Sequence, residues 1–271
     1  MALVSFRMLF GTLTAAAITV YQKAPWPHDL KTWLKFAILG PINLAIPIFL
    51  ISWGERTIDS AVASILNATV PLFTIIIAHF WLTDDKITFQ KALGLLVGFG
   101  GVVVLLSRDL ASRSDSSALG QGAVILGAVF YAVGTVFARQ FTQHVIGPAR
   151  GAAPLITATL FIWIVAPIFE KPFKFPALPI TWIAALWLGI LGSAVAWIMF
   201  YYLLHAIGPT RASLVTYLFP IGGVFFGMFF LHEQLTGQLL TGAILIIASV
   251  VVVNWKPVEK AELKQVVAEP E

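Results

Sequence analysis

Nine stretches of this chain are each long and apolar enough to cross a lipid bilayer. They run over 2–21, 32–53, 58–82, 88–107, 119–142, 150–169, 180–205, 208–232 and 235–254. About 20 mostly apolar residues in a helix cover the roughly 30 Å of hydrocarbon, and in lipid a helix satisfies its own backbone polar groups. The pattern therefore predicts an all-α polytopic membrane protein. Composition excludes the soluble alternative. The 271 residues are 59% hydrophobic and 11% charged, against about 45–50% and about 25% in soluble domains. Mean hydropathy is +0.90. Breakers mark the short connections: Pro25 and Pro27, Gly54, Asp84-Asp85, Pro172 and Pro176, and Gly208-Pro209. Arg108 to Ala118 is the longer polar stretch. After Trp255 the tail is polar and mixed in charge, the composition of a solvated segment.

An internal repeat organises the spans. Thr32-Trp33 recurs as Thr181-Trp182, 149 positions later, and at that offset Leu39-Gly40 meets Leu188-Gly189. Ala63-Ser64 meets Ala212-Ser213, and Pro71 meets Pro220. After a slip of one residue, Thr88, Gln90 and Gly94 meet Thr236, Gln238 and Gly242. Such self-similarity points to duplication. Five spans separate equivalent helices, and an odd number requires that the copies face opposite ways, as in inverted-repeat transporters. The span 119–142 has no equivalent ahead of residue 1. The expectation is a parent design of two five-helix halves, with nine of its ten transmembrane helices present here.

The remaining charges orient the chain. Of the 17 basic residues, 11 fall on one side if the C-terminus is cytoplasmic, which agrees with the positive-inside tendency. This distribution, rather than nucleic-acid binding, accounts for the +4 net charge. There is no cysteine, hence no disulfide framework or thiol nucleophile. No Gly-x-Ser-x-Gly, His-Glu-x-x-His, phosphate loop or clustered metal-ligand set is present. No catalytic residue, metal site or cofactor is expected.

The duplicated phrase Ala63-Ser64, Pro71, Asp84, Gly94 and Gly101, with its second copy Ala212-Ser213, Pro220, Glu233 and Gly242, resembles the drug/metabolite transporter superfamily, specifically proteins with two EamA domains. Phe6-Arg7 looks like the start of that family's second helix, and Tyr131-Ala132 through Arg139 like its sixth. The resemblance implies a first EamA repeat over 1–107 lacking its first helix, a linker over 108–118, a second repeat over 119–254 and a cytoplasmic tail over 255–271. In the family the first helix helps line the substrate cavity.

Two groups of residues are candidates for that cavity. Pro71 and Pro220 lie in mid-span, where a proline removes a helical hydrogen bond and kinks the helix. The carbonyls so freed belong to Asn67 and Thr216, with Ser64 and Ser213 a turn earlier. Polar groups at a helix break near the midplane can coordinate a substrate. The plainer reading is a packing kink whose hydroxyls bond back to their own helix. The second group is Asn43, Tyr131, Trp163, Trp197, Tyr201, Tyr202 and Tyr217, polar and aromatic side chains within several spans. Trp26, Trp33, Trp53, Trp182 and Trp255 lie near span ends and read as interfacial anchors. Arg7, Lys35 and Arg139 are near enough to span ends to snorkel. The Gly-x-x-x-Gly pairs Gly94/Gly98 and Gly223/Gly227 read as close packing within one protomer.

With the resemblance, these features imply a secondary transporter. It would export amino acids, related metabolites or amphipathic drugs by alternating access between inverted halves. The alternative is a non-transporting scaffold or an inactive truncated membrane protein. The partners implied are a small-molecule substrate and membrane lipid, with no nucleic acid. The location implied is the bacterial cytoplasmic membrane.

Overall fold

The computed structural model describes residues 2–58, 60–83, 85–106, 115–169, 175, 177–219, 222 and 237–254. The described secondary structure is entirely helical. In chain order the helices are α1 (Ala2–Tyr21), α2 (Leu30–Gly54), α3 (Ser60–Asn67), α4 (Val70–Trp81), α5 (Phe89–Leu106), α6 (Asp115–Phe141), α7 (Ala149–Phe169), α8 (Pro179–Ile207), α9 (Pro209–Ser213) and α10 (Gly237–Asn254). A 3₁₀ turn over Leu214–Tyr217 extends α9. Five of these helices, α1, α2, α6 (from Ala118), α7 and α8, are long and apolar enough to span a membrane. Asp84, Pro220, Glu233, Gly223, Gly227 and the tail lie outside the described residues, as does most of the span expected over 208–232.

The two copies are inverted and interlocked. Helices α1 and α7 are equivalent by the 149-residue offset, and they pack against each other in opposite directions. Thr12 donates to the Leu155 carbonyl at 3.0 Å and shares a 2.7 Å hydroxyl contact with Thr159. Thr159 donates to the Met8 carbonyl, and the Trp163 indole to the Ser5 carbonyl. Ascending one helix thus descends the other. Helices α5 and α10 repeat the arrangement: Gln90 reaches the Val252 carbonyl, Gly94 faces Val253, and Gly98 faces Ser249.

Each half also inserts a helix into the other through a glycine. A Cβ on Gly40 of α2 would lie 2.1 Å from Thr157 Oγ1 and 2.6 Å from the Ala158 nitrogen of α7. A Cβ on Gly189 of α8 would lie 2.6 Å from Phe10 Cβ and 2.9 Å from the Arg7 carbonyl of α1. Small residues permit this backbone approach where lipid supplies no hydrophobic drive between helices. Gly94 and Gly98 do the same for α5 on α10, with the Tyr217 ring also pressed against Gly98.

Directly after each of these glycines the helix widens. α2 takes a π turn over Pro41–Ala45 and α8 takes one over Ile190–Val195, the same place in the repeat. Pro41 has no N–H to give to the preceding turn, yet Ile190 has. The feature common to both copies is the cross-half contact at the glycine. Nothing in the sequence reading anticipates these turns.

The mid-span proline departs from expectation. Pro71 does not kink a continuous helix. α3 ends at Asn67, residues 68 and 69 form a turn, and Pro71 sits in the first turn of α4. A first-turn proline costs nothing in hydrogen bonding, because that N–H has no helical partner anyway. The equivalent stretch of the second half is the 3₁₀ turn at Leu214–Tyr217, so both copies lose regular α geometry at Asn67 and Thr216.

Asn43, inside the first π turn, ties three elements together. Its amide donates to the Tyr131 carbonyl of α6 at 3.1 Å, and its oxygen accepts from the Tyr201 hydroxyl of α8 at 2.8 Å. The Asn43 and Tyr201 side chains are fully buried. Tyr201→Phe should therefore strand the Asn43 oxygen. A buried acceptor without a donor costs about 1–3 kcal/mol. Thermal unfolding of the purified chain in detergent should fall accordingly, and an unchanged midpoint would contradict this role.

Candidate functional site

A cavity of about 360 Å³ lies between the halves. The first half contributes Arg7 from α1, Ile48, Ile51 and Ser52 from the end of α2, Glu55 just after it, and Ala63, Ser64 and Asn67 from α3. The second half contributes Tyr131 and Thr135 from α6, Gly192, Ala196, Trp197 and Phe200 from α8, and Ser213, Val215, Thr216 and Phe219 around the 3₁₀ turn. Both helix breaks thus face one space, which follows from their equivalent places in an inverted repeat. Among the sequence candidates, Ser64, Asn67, Tyr131, Trp197, Ser213 and Thr216 come together here.

The other candidates are placed elsewhere. Asn43 and Tyr201 are engaged with each other behind the lining. Trp163 gives its N–H to the Ser5 carbonyl, stands edge-on to Phe6 at 5.4 Å, and is not among the lining residues. Tyr217 is buried against Gly98, and its hydroxyl has no hydrogen-bond partner among the described residues. Pro71 is buried in the first turn of α4 and is not among the lining residues.

The hydroxyls at the second break bond locally. Ser213 donates to the Thr210 carbonyl and Thr216 to the Ser213 carbonyl, both at 2.8 Å. Back-bonding of this kind uses the hydroxyl proton and leaves the oxygen able to accept. Asn67 differs: its Oδ1 is buried and has no partner among the described residues. One wall is aromatic. Tyr131 and Trp197 are 5.8 Å apart between ring centroids, and Phe200 meets Trp197 edge-on at 5.3 Å.

Arg7 is also placed differently from the sequence expectation. It does not snorkel to the membrane surface. Its Nε donates to Ser193 Oγ at 3.0 Å and its Nη2 to the Gly192 carbonyl at 3.2 Å, both in the second π turn. The available signal was the position itself, since an ionisable residue within a span is a site candidate by default. Glu55 stands just beyond α2. Partial desolvation pushes its carboxyl up from the ordinary value, and the Arg7 charge pulls it back down.

The end of the bundle away from Glu55 carries ties between the halves. Asp85 accepts from the Thr210 backbone N–H at 3.0 Å and pairs through its other oxygen with Lys91. Thr32 and His144 share a 2.7 Å contact, and the Lys35 ammonium lies over the Phe141 ring. At that end Asp29, just ahead of α2, caps the helix by accepting from the Thr32 N–H. The bonds from Thr32 hold its carboxyl below the usual range. Among the described residues no group of three or more metal-ligating side chains comes together.

Comparison with known proteins adds the following. Residues 1–107 and 118–255 match the EamA-like transporter family. The chain is 26% identical over 222 residues to the uncharacterised transporter YoaV of Bacillus subtilis (strain 168), covering 81% of this chain and 74% of that one. It is 27% identical over 202 residues to the uncharacterised inner membrane transporter YedA of Escherichia coli (strain K12), covering 73% and 63%. It is 24% identical over 261 residues to the chloroplastic WAT1-related protein At3g02690 of Arabidopsis thaliana, of which it spans 62%. A solved crystal structure shares the fold with a TM-score of 0.78 at 19% identity, covering 93% of this chain and 87% of that one.

Proposed function

The chain belongs to the EamA-like transporter family, and from that premise we propose that it is a secondary exporter of amino acids, related metabolites or amphipathic drugs. It is an integral, multi-pass membrane protein. Its two EamA repeats, 1–107 and 119–254, rock about the axis relating them, with 108–118 as the linker. The C-terminus faces the cytoplasm of a bacterial cell, following the charge bias. We assign no catalytic step to any residue.

One observation carries this reading: a cavity between inverted halves, at one end of the bundle, with cross-half ties at the other. Such a site is accessible from one side while closed from the opposite side, which is the requirement for alternating access. Helix breaks beside it add polar groups to a lining that also holds Arg7, Glu55 and an aromatic wall.

The test is counterflow in proteoliposomes holding the purified chain, preloaded with an unlabelled amino acid mixture and exposed to tritiated L-phenylalanine, L-leucine or L-threonine, with ethidium efflux run in parallel. Saturable exchange of at least one probe above protein-free vesicles is expected. Protein that is folded and monodisperse yet moves none of them would favour the scaffold reading instead.

A further inference from the structure

We propose that Arg7 forms a carboxylate subsite in the cavity, so that the substrates this chain accepts carry a carboxylate beside an apolar body. The inference rests on reading the cavity as the substrate path. A guanidinium has five N–H donors and cannot lose its charge in a protein. Arg7 uses one donor on Ser193 and one on the Gly192 carbonyl. The rest have no protein acceptor among the described residues, and the side chain lines the cavity.

No carboxylate forms an ion pair with Arg7 among the described residues. Glu55 lies in the same lining and acts on Arg7 through space, without a salt bridge to it. A cation held in a low-dielectric wall and left unneutralised is costly, and a planar fork of free donors matches an oxyanion in bidentate geometry. The two existing bonds hold the guanidinium by its Nε and one Nη, leaving the other Nη without a bond among the described residues in a side chain that lines the cavity.

The rest of the lining fits the other parts of such a molecule. Asn67 Oδ1 is a buried acceptor without a donor among the described residues, suited to an ammonium or hydroxyl next to the carboxylate. Tyr131, Trp197 and Phe200 supply an apolar wall for a side chain. A purely cationic amphipath would meet Arg7 as a like charge and leave its donors unanswered, which disfavours it.

The experiment measures binding by quenching of tryptophan fluorescence in the purified full chain. L-phenylalanine, L-leucine and L-threonine are compared with L-phenylalanine methyl ester, phenethylamine and ethidium. An acid is expected to bind at least about tenfold more tightly than its ester or amine, the factor that about 1.4 kcal/mol produces. Arg7→Gln should erase the ratio of acid to ester, and Arg7→Lys, which keeps the charge but not the fork, should reduce it. A merely structural role would lower all ligands together and leave the ratio unchanged. Should Arg7→Gln fail to fold, the wild-type ratio and Arg7→Lys carry the test.

Equal or tighter binding of ester, amine or ethidium by the wild type overturns the proposal. So does a folded Arg7→Gln chain that keeps the acid preference, or a wild type that binds none of the acids. Acid-selective binding without vesicle counterflow leaves the subsite standing and overturns the transport reading. Ethidium efflux without acid preference does the reverse.

Discussion

Asn67→Leu is expected to lower counterflow by at least about tenfold, the factor that about 1.4 kcal/mol of lost interaction produces, while folded yield and thermal midpoint stay level or rise. Asn67 is almost fully buried, and its Oδ1 has no partner among the described residues. A buried polar atom in that condition is destabilising, and replacing it by an apolar group of like size relieves the penalty. A residue kept for packing would show the opposite pattern, with stability and flux falling together. Pro71→Ala should do less harm, because Pro71 occupies a first helical turn and can be replaced without altering the break at residues 68 and 69. Asn67→Leu protein that is stable and transports at the wild-type rate would remove Asn67 from the substrate path.

Gly40→Val should prevent assembly of the two halves. Even a single methyl on Gly40 meets the Thr157 hydroxyl at 2.1 Å and two backbone atoms, Ala158 N and Pro154 O, at 2.6 Å. A side chain can swing aside, but the α7 backbone cannot without moving the helix. Overpacking that rotamer changes absorb costs about 1–3 kcal/mol, and a collision with main chain exceeds that range. Gly189→Val should behave in the same way against Phe10 and Arg7. Gly122→Ala is the control, since nothing lies within 4 Å of its added Cβ. Monodisperse yield on size exclusion reads the difference, and normal yield of Gly40→Val would show that α2 and α7 separate more easily than their packing implies.

Much of the architecture is legible because apolar run length and repeat offset are one-dimensional quantities. The spans 2–21 and 88–107 coincide with α1 and α5 to within a residue, and the slip of one residue between copies reappears as matching bounds for α5 and α10. The break at Asn67 follows from Pro71, although the proline begins a new helix instead of bending an old one. Azimuth is what the sequence lacks. Knowing that Arg7 lies a few residues inside a span does not say whether it turns toward lipid, headgroup or partner helix. Ser193 and Gly192, 186 and 185 residues away, decide that. The same limit applies to Trp163 and Tyr201. Span position puts both at depth, and only the neighbour's place shows that one meets the Ser5 carbonyl and the other Asn43. The π turns leave no trace in apolar periodicity, because a widened turn rotates the pattern by less than the breadth of an apolar stripe.

The interlocked symmetry also bears on energetics. If the halves exchange roles between two end states, every contact that has an equivalent in the other half appears once in each state and cancels from their free-energy difference. The mutual helix crossings at Gly40 and Gly189 belong to this cancelling set. What survives comes from positions where the copies differ. Arg7 stands opposite Ile156 in the repeat, Asn43 opposite Gly192, and Glu55 opposite Leu204. A few side chains, and not the bulk of the helix interfaces, would then set the resting bias of the machine, and a bias of about 1.4 kcal/mol is a tenfold population ratio. Arg7 and Glu55 belong both to this set and to the cavity lining, so on the proposed reading a ligand that neutralised Arg7 would act directly on the equilibrium it must cross.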